Sequence, residues 1–244
     1  MNKIYNFKIL FLLLFVISIL ISNSFINKFE SKIFKTNAYT HSSLIHEDTV
    51  SYFESAEKIS KDIINGKSFF SSGDSYDFTF LYPRIIFIFN QLFNSNSLII
   101  DDLDKKINFK NYKIFVYLQI IIYFLSVLFL RLNLSRVLNK NLANIITITL
   151  LLNPILMQWH LTILTESIFL SFLIIIIGFF INCKNSFHFF ITGLLIGILY
   201  TQRTVAFLYP LIFIFYIFLL GENYLKKIFK FLSLAIGFFL ILIL

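Results

Sequence analysis

Seven stretches of almost uninterrupted apolar residues constrain this chain more than any other feature: residues 9–26, 114–130, 142–157, 161–181, 187–201, 205–220 and 228–244. A helix that crosses a bilayer needs about 20 mostly apolar residues, within a range of about 17–25. Backbone polar groups in lipid must bond within their own segment, which makes helices the form for such runs. The expected fold is all-α, a polytopic transmembrane helix bundle of about 7 spans; the third and fifth runs are short, so the count is six or seven. Composition agrees, with 58% of residues hydrophobic and 14% charged, where soluble domains have about 45–50% and about 25%. A water-soluble enzyme of this length could not bury so much apolar surface. A disordered or collagen-like chain is excluded by 33 Phe against 7 Gly and 3 Pro.

The first run follows Lys3 and Lys8 in the manner of a signal peptide, but Ser22-Asn23-Ser24 is a poor small-residue cleavage site. It is expected to remain as an N-terminal anchor over residues 1–26. Cations in short loops set the direction of insertion. With the N-terminus inside, the inner segments carry Lys3, Lys8, Arg131, Arg136, Lys140, Lys184, Lys226, Lys227 and Lys230, while the short outer connections carry only Arg203. The remaining cations lie in residues 27–113 beside eleven of the thirteen acids, so that region is close to neutral. The net charge of +8 is therefore a topology signal and predicts no nucleic-acid partner. The chain divides into the anchor, an extracytoplasmic loop over 27–112, and a bundle of about six further spans over 113–244, which stops inside an apolar run and is expected to be incomplete at Leu244. The single cysteine, Cys183, allows no intrachain disulfide.

The outer loop has its own pattern. Residues 49–65 place Val50, Phe53, Ile59 and Ile63 on one helical stripe with Glu54, Glu57, Lys58 and Lys61 elsewhere, and Gly66 stands where such a helix ends. Ser51 and Glu54 have capping-box spacing, and Asp48 is an equally good N-cap. A turn-like Ser71-Ser72-Gly73-Asp74 precedes Tyr82-Pro83-Arg84, and the apolar piece 85–93, too short to span, is expected as an interfacial helix. No phosphate loop, HExxH, CxxC or GxSxG occurs. His41 and His46 lack the spacing of a helical zinc pair, and the sequon at Asn133 falls on the inner side.

Topology gathers the remaining ionisable groups at the outer face: Glu47 and Asp48, Tyr82 and Arg84, His160 with Glu166, and Arg203. A carboxylate such as Glu166 inside a span is costly unless it faces a partner or a cavity. Singly, each also has a plain structural reading. Asp48 can cap a helix, Arg84 and Arg203 can anchor at the interface, and Glu166 can pair with His160. Their convergence on one face favours a site.

The order of these segments resembles the GT-C glycosyltransferases, polytopic enzymes that use polyprenyl-phosphate sugars and include protein O-mannosyltransferases and lipid A aminoarabinose transferases. His46-Glu47-Asp48 followed by Tyr52-Phe53-Glu54-Ser55-Ala56 is similar to the early acidic element of that family, and Tyr82-Pro83-Arg84 to the element after it, although here the Arg follows the Pro. Asn153-Pro154 with Leu164-Thr165-Glu166-Ser167-Ile168-Phe169, and the Gly193 to Arg203 segment, look like its later helices. The resemblance implies a bacterial inner (plasma) membrane protein that moves a sugar from a polyprenyl phosphate to a hydroxyl on a lipid, glycan or protein acceptor, with inversion. It implies Asp48 as general base, Arg203 and then Arg84 as cations for the departing phosphate, Glu166 and His160 as orienting groups, and Tyr82 in the donor pocket. No cofactor is implied beyond the lipid-linked sugar; Glu47 beside Asp48 leaves a divalent metal open. The rival classes are a transporter or flippase, expected to show paired broken spans, and a non-catalytic subunit of an envelope-glycan assembly system.

Overall fold

The computed structural model describes residues 2–33, 47–73, 80–93, 109–161 and 163–243. Among them the regular structure is helical and no strand occurs: α1 (Asn2–Ile33), α2 (Glu47–Ile64), α3 (Leu81–Leu92), α4 (Phe109–Val137), α5 (Lys140–Leu152), α6 (Pro154–Leu161), α7 (Thr165–Phe180), α8 (Ser186–Gln202), a 3-10 helix (Thr204–Leu208), α9 (Tyr209–Leu219) and α10 (Tyr224–Ile243). Among the described residues two helices are long and apolar enough to cross a membrane, α1 over Phe7–Ser24 and α4 over Ile114–Val137. The other apolar runs form shorter helices, and the reasons are local.

The run 142–157 is broken in two at Asn153-Pro154. A residue before proline avoids the helical region, and Asn153 is extended at φ −69° and ψ 114°. Its Oδ1 instead accepts the amides of Ile155 at 3.0 Å and Leu156 at 3.3 Å, starting α6. Pro154 has no N–H for the Leu150 carbonyl four residues back. That carbonyl accepts the Asn153 amide at 3.3 Å and the Tyr123 hydroxyl of α4 at 2.8 Å. The run 205–220 begins with a turn of 3-10 helix before α9 takes over at Tyr209-Pro210.

Side-chain contacts fix the direction of each helix. Along α1 and α4, Arg131 lies over the Phe7 ring (3.8 Å), Phe11 and Phe15 meet Phe124, and Tyr117 donates to Asn23 at 3.2 Å, so the two helices are antiparallel. Arg131 also donates to Asn144 at 2.8 Å, which with Tyr123 to Leu150 sets α5 antiparallel to α4. Asn182 donates to Asn133 at 2.7 Å at one end, and His160 links Tyr123 to Ser167 at the other, so α4 and α7 run together. Helix α8 returns antiparallel to α7, with Phe180 on Phe189 at one end and Gln202 on the Thr165 carbonyl at the other. Helix α9 runs with α7, Tyr209 near Phe169 and Phe213 near Phe180.

Helices α8 and α10 run in the same direction and approach most closely, because glycine faces glycine. A methyl group at Gly193 would run into the Leu234 carbonyl, one at Gly237 into the Phe190 carbonyl, and one at Gly197 would lie 2.8 Å from Ile241 Cβ. Small residues four apart allow helix backbones to touch in this way. The Gly193–Gly197 spacing is thus packing surface.

Helices α2 and α3 form a separate layer. Of the expected stripe on α2, Phe53 and Ile59 are buried together with Ala56, Ile63 is half-buried and the Val50 side chain lies outside the described residues, while Glu54, Lys58 and Lys61 face outward. Gly66 has φ +87° and ends the helix as its position predicts. Asp62 accepts from the Gly73 amide at 2.9 Å and from Lys67 at 2.9 Å, and these two partners hold its carboxyl below the usual carboxylate range. The layer rests on α4 through Tyr82 and Phe89 against Phe115, and α3 also touches α8.

Candidate functional site

The end of the bundle under the α2–α3 layer holds most of the residues singled out from sequence. The first turn of α7 is their meeting point. Glu166 Oε1 pairs with Arg203 Nη1 at 3.0 Å, joining the start of α7 to the residue that ends α8. The hydroxyl of Thr165 donates to the other Glu166 oxygen at 3.2 Å. The side chain of Gln202, the last residue of α8, donates to the Thr165 carbonyl at 3.0 Å. The Ser167 hydroxyl meets His160 Nδ1 at 2.7 Å, the direction of donation following the imidazole tautomer.

His160 does not pair with Glu166, which corrects the plain reading of that carboxylate. His160 is wholly buried; its ring stacks on Tyr123 at 3.9 Å between centroids. A continuous set of contacts therefore runs from the α5–α6 break through Tyr123, His160 and Ser167 to Glu166 and Arg203. The helix break has a role in this chain, since the Leu150 carbonyl left by Pro154 is what holds the Tyr123 hydroxyl.

Arg84 and Arg203 differ in kind. The Arg84 side chain is buried at 5% exposure and donates to the carbonyls of Phe69 (3.2 Å), Phe80 (2.8 Å), Phe70 (3.1 Å) and Ser72 (2.7 Å), with its guanidinium 3.4 Å over the Phe80 ring. It ties α3 to the turn after α2 and is neither an interface anchor nor open to an anion. The Arg203 side chain is 41% exposed and meets a single carboxylate, which leaves guanidinium donors for a ligand.

Tyr82 is buried, with Tyr52 edge-on at 5.0 Å and Phe115 at 6.3 Å, so it seats the α2–α3 layer on α4. Glu47 and Asp48 open α2. Asp48 is second in that helix, inside the first turn and not at its cap, and one turn before Tyr52; the side chains of both acids lie outside the described residues, as do His41 and His46. Among the described residues no three of His, Cys, Asp and Glu cluster as a metal site would require.

Four residues were not selected from sequence: Gln119, Tyr123, Ser167 and Gln202. A signal existed for one of them, since Gln119 is the lone amide in the apolar run 114–130. Gln119 is wholly buried on α4, one turn from Phe115 and one from Tyr123. Both of its amide atoms, His160 Nε2 and Gln202 Oε1 have no hydrogen-bond partner among the described residues. Comparison of the chain with protein-family models, with curated proteins and with solved structures gives no match.

Proposed function

We propose that the chain is a polytopic membrane glycosyltransferase that takes a sugar from a polyprenyl-phosphate donor at the end of the bundle carrying Arg203. The observation that carries the reading is the half-exposed Arg203 held by Glu166 where α7 begins and α8 ends. An anionic phosphate is best met by a fixed guanidinium, which offers paired donors in a rigid plane. At this junction the positive end of α7 faces the negative end of α8, so the attraction rests on the guanidinium itself.

The helix directions support seven crossings. α1, α5, α8 and α10 run one way, and α4, α7 and α9 the other, with α5–α6 counted as one broken crossing. Under that arrangement Lys8, Arg131, Arg136, Lys140, Lys184, Lys226, Lys227 and Lys230 share one end, the end that the charge rule assigns to the cytoplasm. Arg203, Glu166 and His160 share the other. Exposed Leu12, Ile17 and Leu20 on α1, Leu211, Phe215 and Leu219 on α9, and Ile236, Phe239 and Ile243 on α10 suit contact with lipid.

In this reading Arg203 receives the charge that develops on the departing phosphate, and Glu166 orients it. Asp48, one helical turn from the Tyr52–Tyr82 contact, takes the proton of the acceptor hydroxyl as it attacks the anomeric carbon. Arg84 has no part in phosphate binding. A transporter is the second reading, favoured by the broken α5–α6 segment. Retention of bare polyprenyl phosphate by detergent-purified protein tests the Arg203 assignment. Arg203→Ala is expected to weaken it at least about tenfold; unchanged retention removes Arg203 from that role.

A further inference from the structure

At the end of the bundle away from Arg203, three helices converge on one guanidinium. Arg131, near the end of α4, donates through Nε to Asn144 Oδ1 of α5 at 2.8 Å and lies 3.8 Å over the Phe7 ring of α1. These contacts occupy one edge and one face of the plane. The N–H groups on both Nη atoms are left without a partner among the described residues. A cation that needed only water would stretch along its helix towards the aqueous phase. Arg131 is instead half-buried and held between α1 and α5. On α5 the exposed Lys140 stands one turn before Asn144, on the same face and about 6 Å nearer the end of the bundle.

The chain supplies no carboxylate to answer this charge. Residues 2–29 and 105–165, which build this end of α1, α4 and α5, contain no Asp or Glu. The earlier acids all belong to residues 30–104, between the other ends of α1 and α4. The two later ones are engaged elsewhere, Glu166 with Arg203 and Glu222 with Lys230 at 2.7 Å. A cation near a membrane interface is costly without a counter-charge, so the counter-charge comes from outside the chain. Its surroundings say what kind. Leu132 follows Arg131 and Ile145 follows Asn144, both apolar and exposed. An anion seated here meets an apolar wall, which suits a negative head on an apolar body.

We propose that the junction of α1, α4 and α5 is a binding site for the head group of an anionic phospholipid, its phosphate bonded by the Arg131 Nη groups and its charge shared with Lys140. A planar set of N–H donors matches two phosphate oxygens. Basic pockets between spans on the cytoplasmic side take such head groups, and this is the end that the charge rule assigns to the cytoplasm. A zwitterionic lipid brings its own cation to the same place and gains less. The site requires that α1 and α4 cross the membrane, and both are long and apolar enough to do so. It does not depend on the transferase reading.

The experiment is native mass spectrometry of the purified full chain with phosphatidylglycerol or phosphatidylcholine of matched acyl chains. The wild type is expected to retain phosphatidylglycerol at least about tenfold better at low salt. Arg131→Gln should bring the two lipids within about twofold, and Lys140→Gln should cut the preference about fivefold. Asn144→Leu keeps every charge but frees the guanidinium to turn away, and should cut the preference at least about threefold. Lys226→Gln removes an exposed cation from the same end, on α10, and should leave the preference within about twofold. Equal retention of the two lipids by the wild type overturns the proposal. So does full preference in Asn144→Leu, which decides the matter if Arg131→Gln does not purify. A loss in Lys226→Gln as large as in Arg131→Gln would mean that bulk charge alone attracts the lipid, and displacement by inorganic phosphate alone would make this a site for a free anion; either result overturns it. Retention of polyprenyl phosphate that depends on Arg203 is a separate reading, so each assignment can fail without the other.

Discussion

Glu166 Oε1 and Arg203 Nη1 lie 3.0 Å apart across the junction of α7 and α8, with both side chains part-exposed. An exposed pair of this kind contributes about 0–1 kcal/mol to stability, so its value lies in what it does to Arg203. Glu166→Gln should unfold within about 1 kcal/mol of the wild type. It should also hold bare polyprenyl phosphate a few-fold more tightly at low salt, because a competing negative charge is gone, and the gain should fade as salt rises. Weaker retention in Glu166→Gln would contradict competition between carboxylate and phosphate.

Arg84 is predicted to behave in the opposite way. Its removal strands four carbonyls. Hydrogen bonds to a charged group contribute about 1.5–3 kcal/mol, so Arg84→Met should cost at least about 2 kcal/mol and speed tryptic cleavage after Lys61 and Lys67. Retention of polyprenyl phosphate by the folded fraction should stay within about twofold of the wild type. Loss of phosphate binding with normal protease resistance would return Arg84 to the site.

The contact of α8 with α10 gives a third expectation. A methyl at Gly237 meets the Phe190 carbonyl, whereas one at Gly221 meets nothing within 4 Å. Overpacking costs about 1–3 kcal/mol, so Gly237→Ala should lower the melting temperature in detergent and Gly221→Ala should leave it unchanged. Equal melting temperatures would show that α8 and α10 are not packed backbone to backbone.

Topology can be read with an impermeant thiol reagent in a Cys183→Ser background. Thr204 and Lys184 are both exposed, at opposite ends of α8. Thr204→Cys is expected to react in intact cells and Lys184→Cys only after lysis. The reverse pattern, or labelling of both from outside, would contradict the orientation assigned from charge.

The helices were legible in the sequence wherever one force dominated. Continuous apolar runs mark α1, α4 and α7, and the Phe53–Ile59 stripe with Gly66 marks α2 and its end. The break at Asn153-Pro154 was written in the proline but hidden by the apolarity on either side of it, which a count of apolar residues alone passes over. The site was legible as a set of charges and less so as a geometry. Sequence put Glu166 near both His160 and Arg203, and the fold chose Arg203 because His160, turned inward onto Tyr123, took Ser167 instead. Arg84 looked like a surface cation because nothing local reveals that four carbonyls from two segments converge on it. Gln202 carries no charge and stands in a segment read as packing, so nothing in the sequence marks it, whereas Gln119 was marked only by being the lone amide in an apolar run.

The central claim is that this chain consumes a polyprenyl-phosphate sugar, and the most direct measurement is turnover of a panel of labelled donors in membranes containing the wild type or Asp48→Asn, with crude envelope acceptor present. The account predicts that the wild type consumes one donor of the panel, and that Asp48→Asn inserts normally yet consumes none. Equal consumption by both proteins would remove Asp48 as the base, and no consumption of any donor by the wild type would contradict the transferase assignment itself.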